Sequence, residues 1–217
     1  MRSIIIAGTG TDVGKTLLSA AIMRAHPEYR YWKPVQSGTV PQTDRDAVIQ
    51  LSGCDTSRII AEAYVFREPL SPHLASSLEG VTINASALRL PSHSDDKPMI
   101  VECAGGVMVP LNDTTLYIDM IEQWKLPVLL ACRSELGTIN HTLLTLEALR
   151  ARNVEVLGAV LVGKPNKANE DASARYGSIE VMGRIPLEGD LTPEMILPMY
   201  EKHLSRLGEV LNEQVAA

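Results

Sequence analysis

The chain has 217 residues, of which 45% are hydrophobic and 21% charged, a composition typical of one globular α/β domain spanning residues 1–217. Its net charge of −6, its lack of a basic stripe and its 4% aromatic content argue against nucleic acid or a membrane surface as partner. No secretory signal or membrane-spanning run is recognisable. Three cysteines without metal-like spacing favour a reducing, cytoplasmic setting.

Short apolar runs alternate with helical patterns along the chain, which predicts a mostly parallel sheet with helices on both faces. The predicted strands cover about 3–8, 30–35, 98–103, 127–132, 155–162 and 180–185. The predicted helices cover about 15–25, 44–52, 82–90, 114–124, 138–151 and 193–212, and the polar segment 163–176 is expected to be a loop. Ligands of such sheets bind beyond the carboxyl ends of the strands, so the residues that follow each strand are candidates for the site.

A glycine-rich run follows the first predicted strand and reads Gly8-Thr9-Gly10-Thr11-Asp12-Val13-Gly14-Lys15-Thr16. Strand, glycine-rich turn, Gly-Lys-Thr and helix together are typical of a phosphate-binding loop, whose backbone N–H groups and helix dipole attract phosphate. Lys15 would neutralise phosphate charge, and the Thr16 hydroxyl would ligate Mg²⁺. Five residues separate Gly8 from Gly14, one more than usual, so the loop is a variant. An ordinary glycine turn is the alternative, and the flanking strand and helix disfavour it.

The second predicted strand contains or ends at Lys33, and the sequence continues as Pro34-Val35-Gln36-Ser37-Gly38. A charge in an apolar strand is costly unless an anion accompanies it. Lys33 is therefore a candidate for a second cation at the phosphates or the transition state, the alternative being a surface lysine. The loop that follows could present the Ser37 hydroxyl to a substrate.

Two carboxylates are candidate Mg²⁺ ligands. Glu102 ends the strand predicted over 98–103 and precedes the small residues of 103–106, where backbone can approach a ligand closely. Asp46 lies in the first turn of the helix predicted over 44–52, for which Asp44 is the expected cap. The alternative for Asp46 is that it only stabilises the helix dipole.

Two further segments each allow two interpretations. Leu136-Gly137-Thr138-Ile139-Asn140-His141 follows a predicted strand, and its free N–H groups could hold a carboxylate, or it could simply start a helix capped by Thr138. Ser71-Pro72-His73 reads as a turn with a helix start, either part of a site or ordinary packing.

These motifs, in this order over roughly residues 3–186, resemble those of the dethiobiotin synthetase family. The shared motifs are the variant loop Gly8–Thr16, Lys33–Gly38, Asp46-Ala47, Ser71–His73, Val101–Gly106, Leu136–His141 and Gly183-x-Ile185-Pro186. Cys103 stands where the family usually has glycine. The resemblance implies a P-loop NTPase-like fold. It also implies a Mg-ATP-dependent ligase that carboxylates 7,8-diaminononanoate with CO₂ or bicarbonate and closes its ureido ring, giving dethiobiotin, ADP and phosphate.

The resemblance also implies a role for each residue of the site. Mg²⁺ would be held by Thr16, Asp46 and Glu102. The reacting groups would be contacted by Lys15, Lys33, Thr11 and Ser37. ATP would be bound by Asp12, Val13, Gly14, Lys15, Thr16, Glu102 and Gly105. Substrate would be bound by Ser37, Gly105, Gly137, Thr138 and Asn140, with the backbone of 137–140 coming from a second subunit of a homodimer.

Two rival functions use a related nucleotide-binding domain. Cobyrinate-type amidotransferring ligases usually carry a glutaminase domain, for which 217 residues leave no room. Dimeric nucleotide switches of the partitioning-ATPase type usually carry an additional lysine near the start of the loop, where this chain has Thr9-Gly10-Thr11. A switch would also need a membrane helix or a basic DNA-facing patch.

Overall fold

The computed structural model of the protein describes residues 3–91, 97–187 and 191–213. Its strands are β1 (Ile4–Gly8), β2 (Arg30–Trp32), β3 (Val35–Ser37), β4 (Ile59–Ile60), β5 (Tyr64–Phe66), β6 (Met99–Glu102), β7 (Val128–Arg133), β8 (Val156–Val162) and β9 (Val181–Ile185). Its α-helices are α1 (Lys15–Ala25), α2 (Asp44–Ser52), α3 (Pro72–Leu78), α4 (Tyr117–Trp124), α5 (Thr138–Ala151), α6 (Lys167–Gly177), α7 (Pro193–His203) and α8 (Ser205–Glu213).

Seven strands form one sheet in the order β4-β2-β6-β1-β7-β8-β9, and their pairings are parallel. In the centre, Ile5 of β1 is level with Val101 of β6 and Val128 of β7. All three side chains are fully buried, as expected for the middle of a parallel sheet covered on both faces. The predicted fold class is confirmed, and the carboxyl ends of β1 and β6 lie side by side.

Each face of the sheet has its own hydrophobic core. Because side chains alternate along a strand, Ile4 and Ile6 pack on one face and Ile5 packs on the other. Helices α1, α2, α7 and α8 cover the face of Ile4, whereas α3, α4 and α5 cover the face of Ile5. Among the helices of the described ranges, none is long and apolar enough to cross a membrane.

Helix α1 is held at both ends. Its N-cap is Gly14, which has a φ of 92°, and a Cβ there would lie 2.7 Å from Cγ1 of Val162, so only glycine fits. At the other end the Arg58 guanidinium donates hydrogen bonds to the carbonyls of Met23 and His26. A cation on these carbonyls opposes the negative end of the helix dipole. The glycine-rich loop therefore leads into a well-anchored helix.

The prediction of one strand over 30–35 is wrong. The strand ends at Trp32, and β3 starts again at Val35 as part of a separate two-stranded sheet with β5. Pro34 has no N–H to donate to a ladder, and its carbonyl accepts from Ala63 instead. This break leaves Lys33 directly beyond the carboxyl end of β2.

The helix predicted over 82–90 is also wrong, because the structure has only a 3₁₀ turn over Ala85–Ala87. Two backbone carbonyls of this segment accept hydrogen bonds from side chains and not from the N–H groups of a helix. Asn112 donates to the carbonyl of Ile83, and the indole of Trp124 donates to that of Leu88. Ile83 and Leu88 are fully buried, so tertiary packing overrides the local pattern.

The last third of the chain departs from prediction twice. The segment expected to be a loop over 163–176 contains helix α6, capped by the Asn166 side chain. The helix predicted over 193–212 is instead α7 and α8, separated at Leu204. There β9 approaches so closely that a Cβ on Gly183 would lie 2.2 Å from the carbonyl oxygen of His203. The remaining predicted elements are confirmed, with α4 starting later than 114.

Candidate active site

The glycine-rich loop lines a cleft of about 780 Å³ at the carboxyl edge of the sheet. Its residues 11–16 all line this cleft. Because the N-cap is Gly14, no side chain caps the first turn of α1, and its N–H groups are left for an anion. Asp12 has a left-handed φ of 54°, and Arg133 donates to its carbonyl oxygen over 3.1 Å. The loop therefore has the form expected of a phosphate-binding site.

Lys15 lies against this loop. Its Nζ donates to the carbonyl oxygen of Gly10 over 2.8 Å, and the residue is only 6% exposed. Burial lowers the pKa of Lys15, and the positive charge of Lys33 lowers it further. The two predicted cations thus lie close enough to interact, and an anion in the cleft would relieve both.

Lys33 is a buried cation between two carboxylates. Its Nζ lies 2.6 Å from Oδ2 of Asp44 and 3.1 Å from Oε1 of Glu102. Burial alone would lower the pKa of Lys33, but the two carboxylates outweigh burial and raise it above its ordinary value. Burial likewise opposes ionisation of Asp44, and Lys33 with the neighbouring donors lowers its pKa below the usual value. The anionic partner that the sequence requires for Lys33 is therefore present.

The Thr16 hydroxyl lies between the same two carboxylates. Its Oγ1 is 2.6 Å from Oδ1 of Asp44 and 2.9 Å from Oε1 of Glu102. One hydroxyl has one hydrogen, so it can donate to only one of these oxygens. Oε1 of Glu102 also accepts from Lys33, so Oδ1 of Asp44 is the oxygen that a bound cation would satisfy. A hydroxyl with two carboxylates is the oxygen-only set that Mg²⁺ prefers. These three side chains therefore fit a magnesium ion.

Glu102 is completely buried and is oriented by hydroxyl groups on its far side. Its Oε2 accepts from Ser19 over 2.7 Å and from Tyr31 over 3.1 Å. Burial, followed by the charge of Glu102, raises the pKa of Tyr31 well above its ordinary value, so this phenol stays a donor. Sequence reasoning missed Ser19 and Tyr31. Ser19 lies one helical turn after Thr16 on α1, and Tyr31 lies two residues before Lys33, so the 3.6-residue period of the helix and the alternation of the strand could have found them.

The structure reverses the predicted roles of the two aspartates in α2. Thr43, and not Asp44, is the N-cap, and Asp46 completes a capping box by accepting from the Thr43 backbone and hydroxyl. The exposed Asp46 carboxylate therefore does not join Thr16 and Glu102. Asp44 occupies that position because its side chain projects from the first turn towards β2. The signal that could have found it is the Thr-x-x-Asp spacing of the capping box itself.

Ser37, Gly105 and Thr11 also line the cleft. Ser37 Oγ is buried without a hydrogen-bond partner within the described residues, so it is available to a ligand. Gly105 has a φ of 65°, and a Cβ there would lie 2.9 Å from Cγ2 of Val109. Cys103 instead lies in the core on the face of Ile5, where burial raises its pKa to about 12.

Gly137, Thr138 and Asn140 do not line this cleft. Gly137 is the N-cap of α5 with a φ of 96°, Thr138 is buried, and Asn140 is exposed. The interpretation in which Thr138 caps this helix is wrong, because Gly137 is the N-cap. Ser71 and Pro72 line the cleft and begin α3, which confirms the predicted helix start.

The site combines a parallel sheet, a glycine-rich loop at the carboxyl edge of that sheet, and a cluster of lysine, hydroxyl and carboxylate groups beside the loop. These features together define a P-loop nucleotide-binding protein of the NTPase type. Residues 2–195 match a protein-family model described as an AAA domain. The chain is 45% identical over 193 residues to an ATP-dependent dethiobiotin synthetase BioD of Rhodopseudomonas palustris strain BisA53, covering 89% of each sequence. It is 43% identical to the BioD of strain HaA2, covering 94% of each sequence. The chain belongs to the ATP-dependent dethiobiotin synthetase family.

Among solved structures, the cell division ATPase MinD of Pyrococcus furiosus superposes with a TM-score of 0.59. The match covers 99% of this chain and 100% of MinD, at 14% sequence identity. At this identity the likeness establishes the shared P-loop fold and nothing about activity.

Proposed function

We propose that this protein is a Mg-ATP-dependent dethiobiotin synthetase whose one domain spans residues 1–217. One amine of 7,8-diaminononanoate takes up CO₂ as a carbamate and releases a proton. A carbamate oxygen attacks the γ-phosphorus of ATP, forming a carbamic–phosphoric anhydride and ADP. The second amine attacks the carbamoyl carbon, phosphate leaves with the C–O bond electrons, and loss of the amine proton completes the ureido ring.

The observation that carries this proposal is the buried cluster of Lys33, Asp44, Glu102 and Thr16 beside Lys15, in a chain of this family. Phosphoryl transfer to a carbamate brings several negative oxygens together, so catalysis depends on positioning and charge neutralisation. Lys15 and Lys33 supply two buried cations on the cleft side of the cluster.

Thr16, Asp44 and Glu102 would hold the magnesium ion, with Asp44 in the place first expected of Asp46. Bound there, the metal supplies positive charge to the transferring phosphate oxygens. Ser19 and Tyr31 orient Glu102 from behind, so this carboxylate keeps one direction as the charges in the cleft change.

Residues 12–16 would bind the ATP phosphates through backbone N–H groups, and Gly105 allows the facing backbone to approach them. Lys33 would hold the carbamate oxygen in line with the γ-phosphorus. The unpartnered Ser37 hydroxyl, with Thr11 across the cleft, would donate to or accept from the diamine and the transferring group.

Gly137, Thr138 and Asn140 would bind the substrate carboxylate from the second subunit of a homodimer, because they lie outside the cleft of their own chain. Leu136 precedes the Gly137 cap, Asn140 and Leu144 lie one turn apart on α5, and all three are exposed. Leu136 is fully exposed, and the two exposed leucines near Asn140 suit a subunit contact. Free thiols at Cys54, Cys103 and Cys132 suit a cytoplasmic enzyme.

The test measures phosphate release by the purified protein with ATP, Mg²⁺, bicarbonate and 7,8-diaminononanoate, each omitted in turn. Release that requires all four, with dethiobiotin identified by mass spectrometry, is the expected result. Phosphate release that is indifferent to the diamine would overturn the proposal and favour a dimeric nucleotide switch.

A further inference from the structure

Arg45 and Glu62 form a second ion pair directly beside the catalytic cluster. Nη1 of Arg45 lies 2.7 Å from Oε2 of Glu62, whose side chain is only 2% exposed. The other carboxylate oxygen of Glu62 is buried and has no hydrogen-bond partner among the described residues. Neither residue lines the cleft. A buried carboxylate with one counter-ion and one unsatisfied oxygen contributes little net stability, so another role is indicated.

Both this pair and the Lys33–Asp44 pair join the first turn of α2 to a segment that follows a strand of the sheet, with the charges exchanged. Lys33, which follows β2, binds Asp44 at the start of α2. Glu62, which follows β4, binds Arg45, the residue next to Asp44. Because the two neighbouring ion pairs have opposite polarity, both can form only when α2 has one particular position along the sheet.

The backbone around Glu62 is fixed to the segment that carries Lys33. Ala61 accepts a hydrogen bond from the indole of Trp32 over 3.1 Å. Ala63 donates to the carbonyl oxygen of Pro34 over 2.9 Å. The residues on both sides of Glu62 are therefore bonded to the residues on both sides of Lys33, so the position of the Glu62 carboxylate is tied to that of the Lys33 ammonium.

We propose that Glu62, acting through Arg45, is a positioning residue that holds the first turn of α2 so that the Asp44 carboxylate reaches Thr16 and Lys33. Without this pair, α2 keeps its Thr43 cap but loses the contact that sets its angle to β2. Asp44 then spends less time within reach of a metal at Thr16. The proposal rests on the proposed function for the identity of the metal site.

The test uses Arg45→Met and Glu62→Gln and measures Mn²⁺ binding to the ADP complex by electron paramagnetic resonance, besides turnover and its Mg²⁺ dependence. We expect the Mn²⁺ dissociation constant to rise on the order of tenfold in both variants, because a lost orienting partner typically has this effect. If Arg45 acted only through its charge, Arg45→Met would instead bind Mn²⁺ more tightly, because a nearby positive charge that repels the metal is removed. Weaker binding in Arg45→Met therefore distinguishes positioning from simple electrostatics.

Arg152→Met is the control for a lost arginine ion pair, because Arg152 is about as exposed as Arg45, pairs with Asp119 and Glu122 and does not line the cleft. We expect it to lower the melting temperature without changing Mn²⁺ binding. Arg45→Lys and the reversed pair Arg45→Glu/Glu62→Arg should recover part of the lost affinity. Unchanged or tighter Mn²⁺ binding in Arg45→Met overturns the positioning role. Failure of the wild-type protein to form dethiobiotin overturns only the proposed activity, because the Mn²⁺–ADP measurement needs no diamine.

Discussion

The ammonium of Lys33 lies 2.6 Å from Oδ2 of Asp44, a carboxylate that also approaches the Thr16 hydroxyl. Lys33 therefore occupies the space between Asp44 and Glu102 that a metal ion bound to both would need. One positive charge stabilises the two buried carboxylates now, and a divalent cation would replace it. On the proposed function, metal binding would therefore displace the Lys33 ammonium from these carboxylates.

Substituting Lys33 by methionine should have opposite effects on catalysis and on metal binding. Turnover should fall far more than nucleotide affinity, because the cation at the transferring group is lost. Mn²⁺ binding without nucleotide should become tighter, on the order of tenfold or about 1.4 kcal/mol, since two close carboxylates no longer have a competing ammonium. Calorimetric titration with Mn²⁺ checks this.

Lys15→Met is the matched control for that titration. Lys15 donates to the Gly10 carbonyl and contacts neither carboxylate directly, so its loss should change metal binding much less. Near-normal turnover of Lys33→Met would remove Lys33 from the mechanism. Mn²⁺ binding that is unchanged or weaker would show that Lys33 does not compete for the metal position.

The two aspartates of α2 should behave differently when each is neutralised. Asp44→Asn should lower turnover at least roughly a hundredfold, because a carboxylate at the metal and at Lys33 is lost. Asp46→Ala should keep turnover per folded molecule and cost about 0.3–1 kcal/mol of stability, because the first turn of α2 loses an acidic side chain and its bonds to Thr43. Urea unfolding and steady-state assays separate the two. A turnover defect in Asp46→Ala equal to that of Asp44→Asn would restore Asp46 as the metal ligand.

The sequence predicts the part of the site that depends on local order. Strand, glycine-rich loop and helix are contiguous, so the phosphate-binding loop follows from Gly8 to Thr16 alone. Glu102 is equally accessible to prediction, because an apolar strand places its last residue at the edge where ligands bind. The position of Lys33 in an apolar segment likewise implies an anionic partner, because an unpaired buried charge is too costly.

The sequence does not predict which aspartate that partner is. Asp44 and Asp46 are two residues apart, and the choice depends on whether the cap falls at Thr43 or at Asp44. That shift of one residue changes which side chain faces β2.

Helix α6 is not predicted from the sequence either, because it buries few apolar side chains and packs through Gly177, where a Cβ would lie 2.8 Å from Leu146. Contacts of this kind depend on tertiary packing, which local sequence patterns do not report.

A buried histidine far from the cleft should make stability depend on pH. His26 Nε2 lies 2.7 Å from the Tyr200 hydroxyl, and Nδ1 lies 3.3 Å from Oε1 of Glu28. The ring of Tyr29 packs against it edge-on, and Arg58 binds its carbonyl oxygen. Burial lowers the pKa of His26 below its ordinary value, although Glu28 opposes this effect.

The folded state therefore binds fewer protons than the unfolded state just below the ordinary histidine pKa of 6.5. Stability should fall as the pH drops through that value, because protonation favours unfolding. His26→Gln, which keeps a hydrogen bond to Tyr200, should show a shallower fall between about pH 7.5 and 5.5 when the urea midpoint is followed. An identical slope in the variant would mean that other groups cause the pH dependence.

Mixing two inactive variants tests whether the site is shared between subunits. Lys33→Ala damages the cleft, and Asn140→Ala damages the surface proposed to complete the cleft of the partner. Random re-association after mild denaturation should restore about a quarter of wild-type turnover, because half of the dimers are hybrids and each hybrid has one intact site. Sedimentation of a Leu144→Glu variant, which should weaken the dimer, provides the parallel measurement. Recovery of no activity, with re-association verified by differently tagged subunits, would place Asn140 in the site of its own chain, and full activity of Asn140→Ala alone would place it in no site.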